Sequence, residues 1–200
     1  MKRLTLISII LPAILLFGSC GQTPQKRIVS ETPIKTEVLG LKLCSVTSES
    51  KVEKALTKAT DKTFLTTPEK AGTYMVVRAI PLTFGGFDPF QYGGLSWHYV
   101  DVTLNESKQI VQICLTASYE NIERAKEQFA AAVGLFTQKY GKGNMDAESQ
   151  NAFWTDNTNS VGLSYVESSA VNGNDRSFCT LYYINIELWD ALEEANLPDV

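Results

Sequence analysis

Few side chains in this sequence could carry chemistry. There is one histidine, His98, and there are four cysteines, Cys20, Cys44, Cys114 and Cys179. Nucleophilic catalysis of the hydrolase kind needs a nucleophile, a base and an acid that orients the base. No Gly-x-Ser-x-Gly elbow supplies the nucleophile, since Gly162-Leu-Ser164 lies in a strand-like run and lacks the trailing glycine. His98 alternates with Val100, Val102 and Leu104, which reads as a hydrogen-bonded side chain at a sheet margin. A glycosidase would need two facing carboxylates. Asp88, Asp156 and Asp175 sit in turn sequences, where Asp bonds nearby backbone, and Asp101 lies mid-strand between Tyr99 and Thr103. The Asn172-Gly-Asn-Asp175 loop lacks the spaced ligands and terminal Glu of a calcium loop. Zinc-protease, phosphate-loop and dinucleotide motifs do not occur. The expectation is a chain with no catalytic residue, no metal and no cofactor.

Cys44, Cys114 and Cys179 each fall in an apolar, strand-like run, and no second Cys or His stands at metal-ligand spacing. They read first as small core residues, with one disulfide among them as the alternative in an oxidising compartment. Cys20 is different. Lys2 and Arg3 precede the apolar residues 4–17, and Gly18 and Ser19 lead into Cys20. An apolar run of that length, broken by Pro12, is short for a membrane span, which needs roughly twenty residues.

The order Phe17-Gly18-Ser19-Cys20 resembles the lipobox of bacterial lipoproteins, with Phe17 where an aliphatic residue is more usual. The resemblance covers residues 1–20. It implies cleavage before Cys20 and acylation of the Cys20 thiol. Each buried methylene adds about 0.8 kcal/mol, so several acyl chains make attachment effectively permanent. No Asp follows Cys20, and Gly21 to Arg27 contains no acidic run. The resemblance therefore implies a lipoprotein of the outer membrane that faces the periplasm.

Loss of the leader removes Lys2 and Arg3, leaving 16 basic against 22 acidic residues, a formal charge of −6. That mild acidity gives no footprint for nucleic acid. Residues 20–37 are polar, carry Pro24 and Pro33, and read as a flexible tether. Residues 38–200 read as a single domain.

The spacing predicts a first strand over 38–44. A short helix follows near 50–59, opened by a Ser50…Glu53 capping box. A strand over 73–82 comes next, then a glycine-rich loop over 84–97, then a hairpin of 97–104 with 109–117. The strongest helix spans about 119–140. Its stripe is Ile122, Ala125, Phe129, Val133, Phe136 and Tyr140; Ser118 or Asn121 caps it and Gly141 ends it. A second hairpin joins 152–155 to 160–166, a long strand covers 178–186, and a short helix closes the chain. Helix-then-three-strands thus occurs twice. The fold class is α+β, an antiparallel meander sheet with two main helices on one face. In topology it resembles the two-layer folds of beta-lactamase-inhibitor and outer-membrane-assembly lipoproteins. Its Lys139-Tyr-Gly141 helix end, Trp154-Thr-Asp hairpin and tyrosine-bearing last strand resemble small Bacteroidota envelope lipoproteins of unassigned function.

Phe84, Phe87, Phe90, Tyr92 and Trp97 crowd the glycine-rich stretch. Two readings stand. The rings fold back and cap the sheet, or they form a contact surface, because rings bring area at low entropic cost. On the second reading the surface extends to Tyr99 and Trp154 as exposed sheet positions. The functional expectation is a non-enzymatic, lipid-anchored envelope protein that binds another envelope protein or a glycan. An envelope hydrolase without a recognisable motif, or an inhibitor-type protein, is the alternative.

Overall fold

Alternation of apolar and polar residues along the inner strands gives one eight-stranded antiparallel sheet two chemically distinct faces. The computed structural model describes residues 28–82, 88–146, 150–168 and 176–196. The chain enters through a two-residue hairpin, β1 (Glu37–Val38) and β2 (Leu41–Lys42), whose turn residues Leu39 and Gly40 have φ of 53° and 75°. Helix α1 (Glu49–Thr60) precedes strands β3 (Phe64–Ala71) and β4 (Tyr74–Pro81). A small hairpin, β5 (Phe90–Tyr92) and β6 (Leu95–Trp97), interrupts the meander before β7 (Tyr99–Leu104) and β8 (Ile110–Tyr119). Helix α2 (Ile122–Tyr140) then leads to β9 (Asn144–Asp146), β10 (Asn151–Thr155), β11 (Asn159–Ser168) and β12 (Arg176–Asn185), and α3 (Ile186–Ala195) closes the fold.

The large sheet has the order β3-β4-β7-β8-β12-β11-β10-β9, antiparallel throughout. The repeat is therefore helix-then-four-strands. Each half starts at an outer edge and ends at the centre, where β8 and β12 pair. That order relates the halves by a pseudo-two-fold axis normal to the sheet.

Register sorts the residues by face. One cross-sheet row runs Val77, Val102, Ile113, Tyr183, Val161, Trp154, and the next runs Ala79, Val100, Leu115, Leu181, Leu163, Ala152. All twelve are buried in one core cluster. Helix α2 closes on this face: the Phe136 ring lies 5.5 Å from Trp154 and 6.4 Å from Tyr183, and Phe129 lies 5.0 Å from Tyr165. Val52 and Leu56 of α1 belong to the same cluster. The opposite face carries the row Arg78, Asp101, Cys114, Tyr182, Gly162, Phe153. Helix α3 begins where β12 ends and reaches the β3–β4 turn, where Asn196 bonds the Thr73 amide at 3.2 Å and its hydroxyl at 2.8 Å.

Several expectations need correction. Residues 28–36 do not swing free. The Ser30 amide donates to the Thr155 carbonyl at 2.7 Å, the Ile34 amide to Asp156 at 2.7 Å, and Ile28 exchanges bonds with Asn144. The polar composition of this stretch reflects hydrogen bonding along the domain, so the domain begins before Val38. Helix α1 starts at Glu49 with Ser48 as its N-cap, so there is no Ser50 capping box, and Glu49 instead accepts from the Thr66 hydroxyl at 3.0 Å. Strands β3 and β9 carry no alternating signal in the sequence. Both are sheet edges, where polar residues and Pro68 cost no ladder bonds. Cys44 is exposed, in a left-handed turn (φ 64°), and lies outside any core strand. Helix α2 meets expectation: Asn121 accepts from the Glu123 amide at 2.7 Å, and Gly141 ends the helix at φ 80°.

Candidate functional site: a cavity between the β5–β6 hairpin and helix α2

The glycine-rich stretch folds into a hairpin because Gly93 and Gly94 supply φ of 63° and 77°, the two positive values of a primed turn. Its strands pair Phe90 with Trp97 and Tyr92 with Leu95. Spacing of two along each strand puts all four on one side, and that side faces inward. Phe90 is 1% exposed and meets Phe64 edge-on at 5.8 Å, while Trp97 is fully buried and donates its indole N–H to the Tyr92 carbonyl at 3.1 Å. The outward side carries Gln91 and Ser96, bonded to each other at 2.6 Å.

The contact-surface reading therefore fails for three of its residues. Phe90 and Trp97 plug the core beneath the hairpin, and Trp154, at 1% exposure, packs under α2. Tyr99 is half-buried with the Arg78 guanidinium 5.1 Å over its ring, and Arg78 is held by Asp101 through two bonds of 2.8 and 2.9 Å. Phe84 and Phe87 lie outside the described residues. Among the described residues, Tyr92 is the proposed contact residue that lines the cavity below the hairpin.

This cavity has a volume of about 300 Å³. The hairpin supplies Tyr92 and Leu95, α2 supplies Leu135, Phe136 and Lys139, the sheet supplies Leu181 and Tyr183, and the entry segment supplies Lys35. At the floor the Tyr92 hydroxyl donates to that of Tyr183 at 3.2 Å, with the rings edge-on. Burial raises both phenol pKa values; Tyr92 adds to the rise of Tyr183, while the hydrogen bond with Tyr183 only partly offsets the rise of Tyr92, so both stay protonated. One hydroxyl proton joins the pair, and the other is left for a ligand. At the rim, the Lys35 ammonium lies 5.6 Å over Tyr92 and that of Lys139 lies 4.8 Å over Tyr140, whose hydroxyl accepts from the Lys35 amide at 3.3 Å. Among the described residues neither lysine pairs with a carboxylate. The described lining contains no carboxylate, imidazole or thiol. It can hold a ligand by apolar contact, a hydroxyl donor and positive charge.

The candidates for chemistry are scattered. Asp88 pairs with Lys62, Asp101 with Arg78, and Asp156 accepts from the amides of Thr158, Asn159 and Ile34; Asp175 lies outside the described residues. Among the described residues no three of His, Cys, Asp or Glu gather where they could hold a metal. His98 Nδ1 accepts from the Ser118 amide at 2.7 Å, with its ring edge-on to Tyr119. Burial, and secondarily the charge of Arg176, lower its pKa below the ordinary 6.5. The unfolded chain then binds the proton more readily than the folded one. Stability from neutral His98 is full above about pH 6.5 and declines as pH falls through that value toward the folded pKa. In denaturant titrations between pH 7 and 5 the wild type should lose more stability than His98→Asn, whose amide oxygen can still accept from Ser118. Equal loss in both would contradict a buried neutral imidazole.

The three cysteines among the described residues are free thiols: Cys179 is buried, Cys114 is half-buried, and burial pushes both up to about 12. A thiol reagent at pH 8 should label Cys44 rapidly and the other two only after unfolding, read by mass spectrometry of the peptides. Fast labelling of Cys114 would show that its thiol is reachable in the folded sheet.

Sequence reasoning located the right stretch but took it for a loop; of its two readings of the rings, the fold-back one holds for Phe90 and Trp97, and Lys35, Leu135 and Leu181 were missed. Leu135, 43% exposed, stands off the apolar stripe of α2, one turn before Lys139. That outlying leucine was the available signal. Comparison with protein-family models, with curated proteins and with solved structures finds no match to this chain.

Proposed function

We propose that the chain is a non-enzymatic binding protein of a bacterial envelope. It is anchored through lipid on Cys20, at an outer membrane and facing the periplasm, and it receives its ligand in the cavity between the β5–β6 hairpin and α2. The observation that carries the binding part is the cavity itself, whose lining is aromatic and aliphatic below and cationic at the rim. A volume of about 300 Å³ is at the lower end for ligand pockets and accommodates a small molecule, the end of a glycan or an inserted side chain of an envelope protein. Support for the anchor comes from residues 1–20 alone, with their basic start, apolar run and Gly18-Ser19-Cys20 close. Among the described residues no helix is long and apolar enough to cross a membrane.

Two measurements test this. Cys20→Ser should abolish metabolic labelling by palmitate and move the protein from the detergent to the aqueous phase, and retention of label would refute the anchor. A photo-crosslinking residue at position 135, beside the cavity, should capture a partner in intact cells that the same residue at exposed position 65 on edge strand β3 does not. Equal capture from both positions would refute the cavity as the binding surface.

A further inference from the structure

We infer that the cavity takes a small amphiphilic carboxylate, its acid group between Lys35 and Lys139 and its apolar body against Leu95, Leu135, Phe136 and Leu181. This rests on the cavity being the binding site. The mature chain is acidic, with a formal charge of −6, yet two ammonium groups stand at the mouth of an apolar hollow with no carboxylate partner among the described residues. Both lean on tyrosine faces, which hold a cation in place without neutralising it. A bound anion completes the arrangement, since a carboxylate accepts from ammonium donors more strongly than a neutral oxygen does.

Below the rim the walls are carbon, apart from the Tyr92–Tyr183 hydroxyl pair, which offers one spare proton. A fully charged or many-hydroxyl ligand would leave polar groups facing Leu95 and Leu181 without partners, at a cost in desolvation. The volume equals about ten waters at roughly 30 Å³ each, so the body has about ten heavy atoms. The ligand is therefore a short acyl chain or a compact ring system that ends in a carboxylate.

The test uses the mature chain, residues 20–200, with Cys20→Ser so that no attached acyl chain competes. Decanoate, decanol and acetate are titrated by calorimetry at low ionic strength. Decanoate should bind about tenfold more tightly than decanol, the size expected of two partly screened cation contacts, and acetate should not bind measurably. The preference should disappear in the folded Lys35→Gln/Lys139→Gln variant and shrink as salt is added. Equal affinity for decanoate and decanol in the wild type would overturn the acid and leave the cavity as a site. Acetate binding as tightly as decanoate would overturn the apolar body. Binding of neither alkyl compound would overturn both the ligand class and the cavity reading beneath it.

Discussion

Replacing Trp154 by alanine should cost about 3–5 kcal/mol of folding stability, the range for removing a buried large aromatic. Small domains have roughly 5–15 kcal/mol in total, so the variant should be partly unfolded at 37 °C or near it. Trp154 is 1% exposed and does three things at once. Its ring packs against Phe136 of α2 at 5.5 Å. Its indole N–H satisfies the Gly141 carbonyl, just past the end of that helix, at 2.9 Å. Its ring edge lies so close to Gly143 that a Cβ there would sit 2.7 Å from it, so the turn after α2 is moulded on the indole. Alanine would leave a void, an unpaired carbonyl and a loosened helix end. The measurement is the urea midpoint at unchanged slope. A loss under about 1 kcal/mol would show that α2 is held elsewhere. A contact residue on the surface would behave in the opposite way, with stability kept and a partner lost.

The second large effect concerns the other face. Gly162→Val should destabilise by about 1–3 kcal/mol or more, because the Tyr182 ring lies across the place where a side chain would stand. A Cβ at 162 would overlap the ring carbon that bears the hydroxyl and the hydroxyl oxygen itself. Tyr182 is 5% exposed on a paired central strand, so the ring has little room to move aside. Combining Gly162→Val with Tyr182→Ala should cost less than the sum of the two singles, by about 0.5–3 kcal/mol of coupling. Additive costs would mean that valine is tolerated beside a displaced ring. The hydroxyl of Tyr182 behaves differently from its ring. It is buried without a hydrogen-bond partner among the described residues, and burial pushes its pKa further up. Tyr182→Phe should therefore leave stability unchanged or raise it, since an unpaired buried hydroxyl costs about 1–3 kcal/mol. A clear loss in that variant would place an acceptor beside the oxygen.

How much of this was legible in the sequence follows from which forces write a local pattern. Helix α2 and the β7–β8 and β10–β11 hairpins were legible because a single buried face imposes a period of 3.6 or 2 on neighbouring residues. Strands β3 and β9 were not. Edge strands owe their conformation to a ladder on one side, so Pro68, Glu69 and Lys70 can sit in β3 without any alternation. Ser48 caps α1 through backbone geometry alone, without a side-chain bond, which left Ser50 and Glu53 as a misleading pair. The aromatic stretch was found but read as a loop, and the sequence left open whether its rings fold inward or face out. The burial of Phe90 and Trp97 depends on Phe64, which is distant in sequence, and on a turn that flips all four apolar side chains inward. The cavity depends on four separate segments meeting, and no local pattern reports that. Lys35, in a stretch that composition marks as a tether, joins the site because Ile34 and Lys35 are tied to Asp156 and Tyr140.

The central claim is that the hollow between the hairpin and α2 is where this protein holds its ligand. Native mass spectrometry of the protein taken from its own membranes tests it most directly, with wild type compared against Leu135→Trp, in which an indole on the outer wall fills the space. The account expects a small bound mass on the wild type, released on denaturation and absent from the folded Leu135→Trp protein. The same bound mass on both proteins, or none on the wild type, would contradict it.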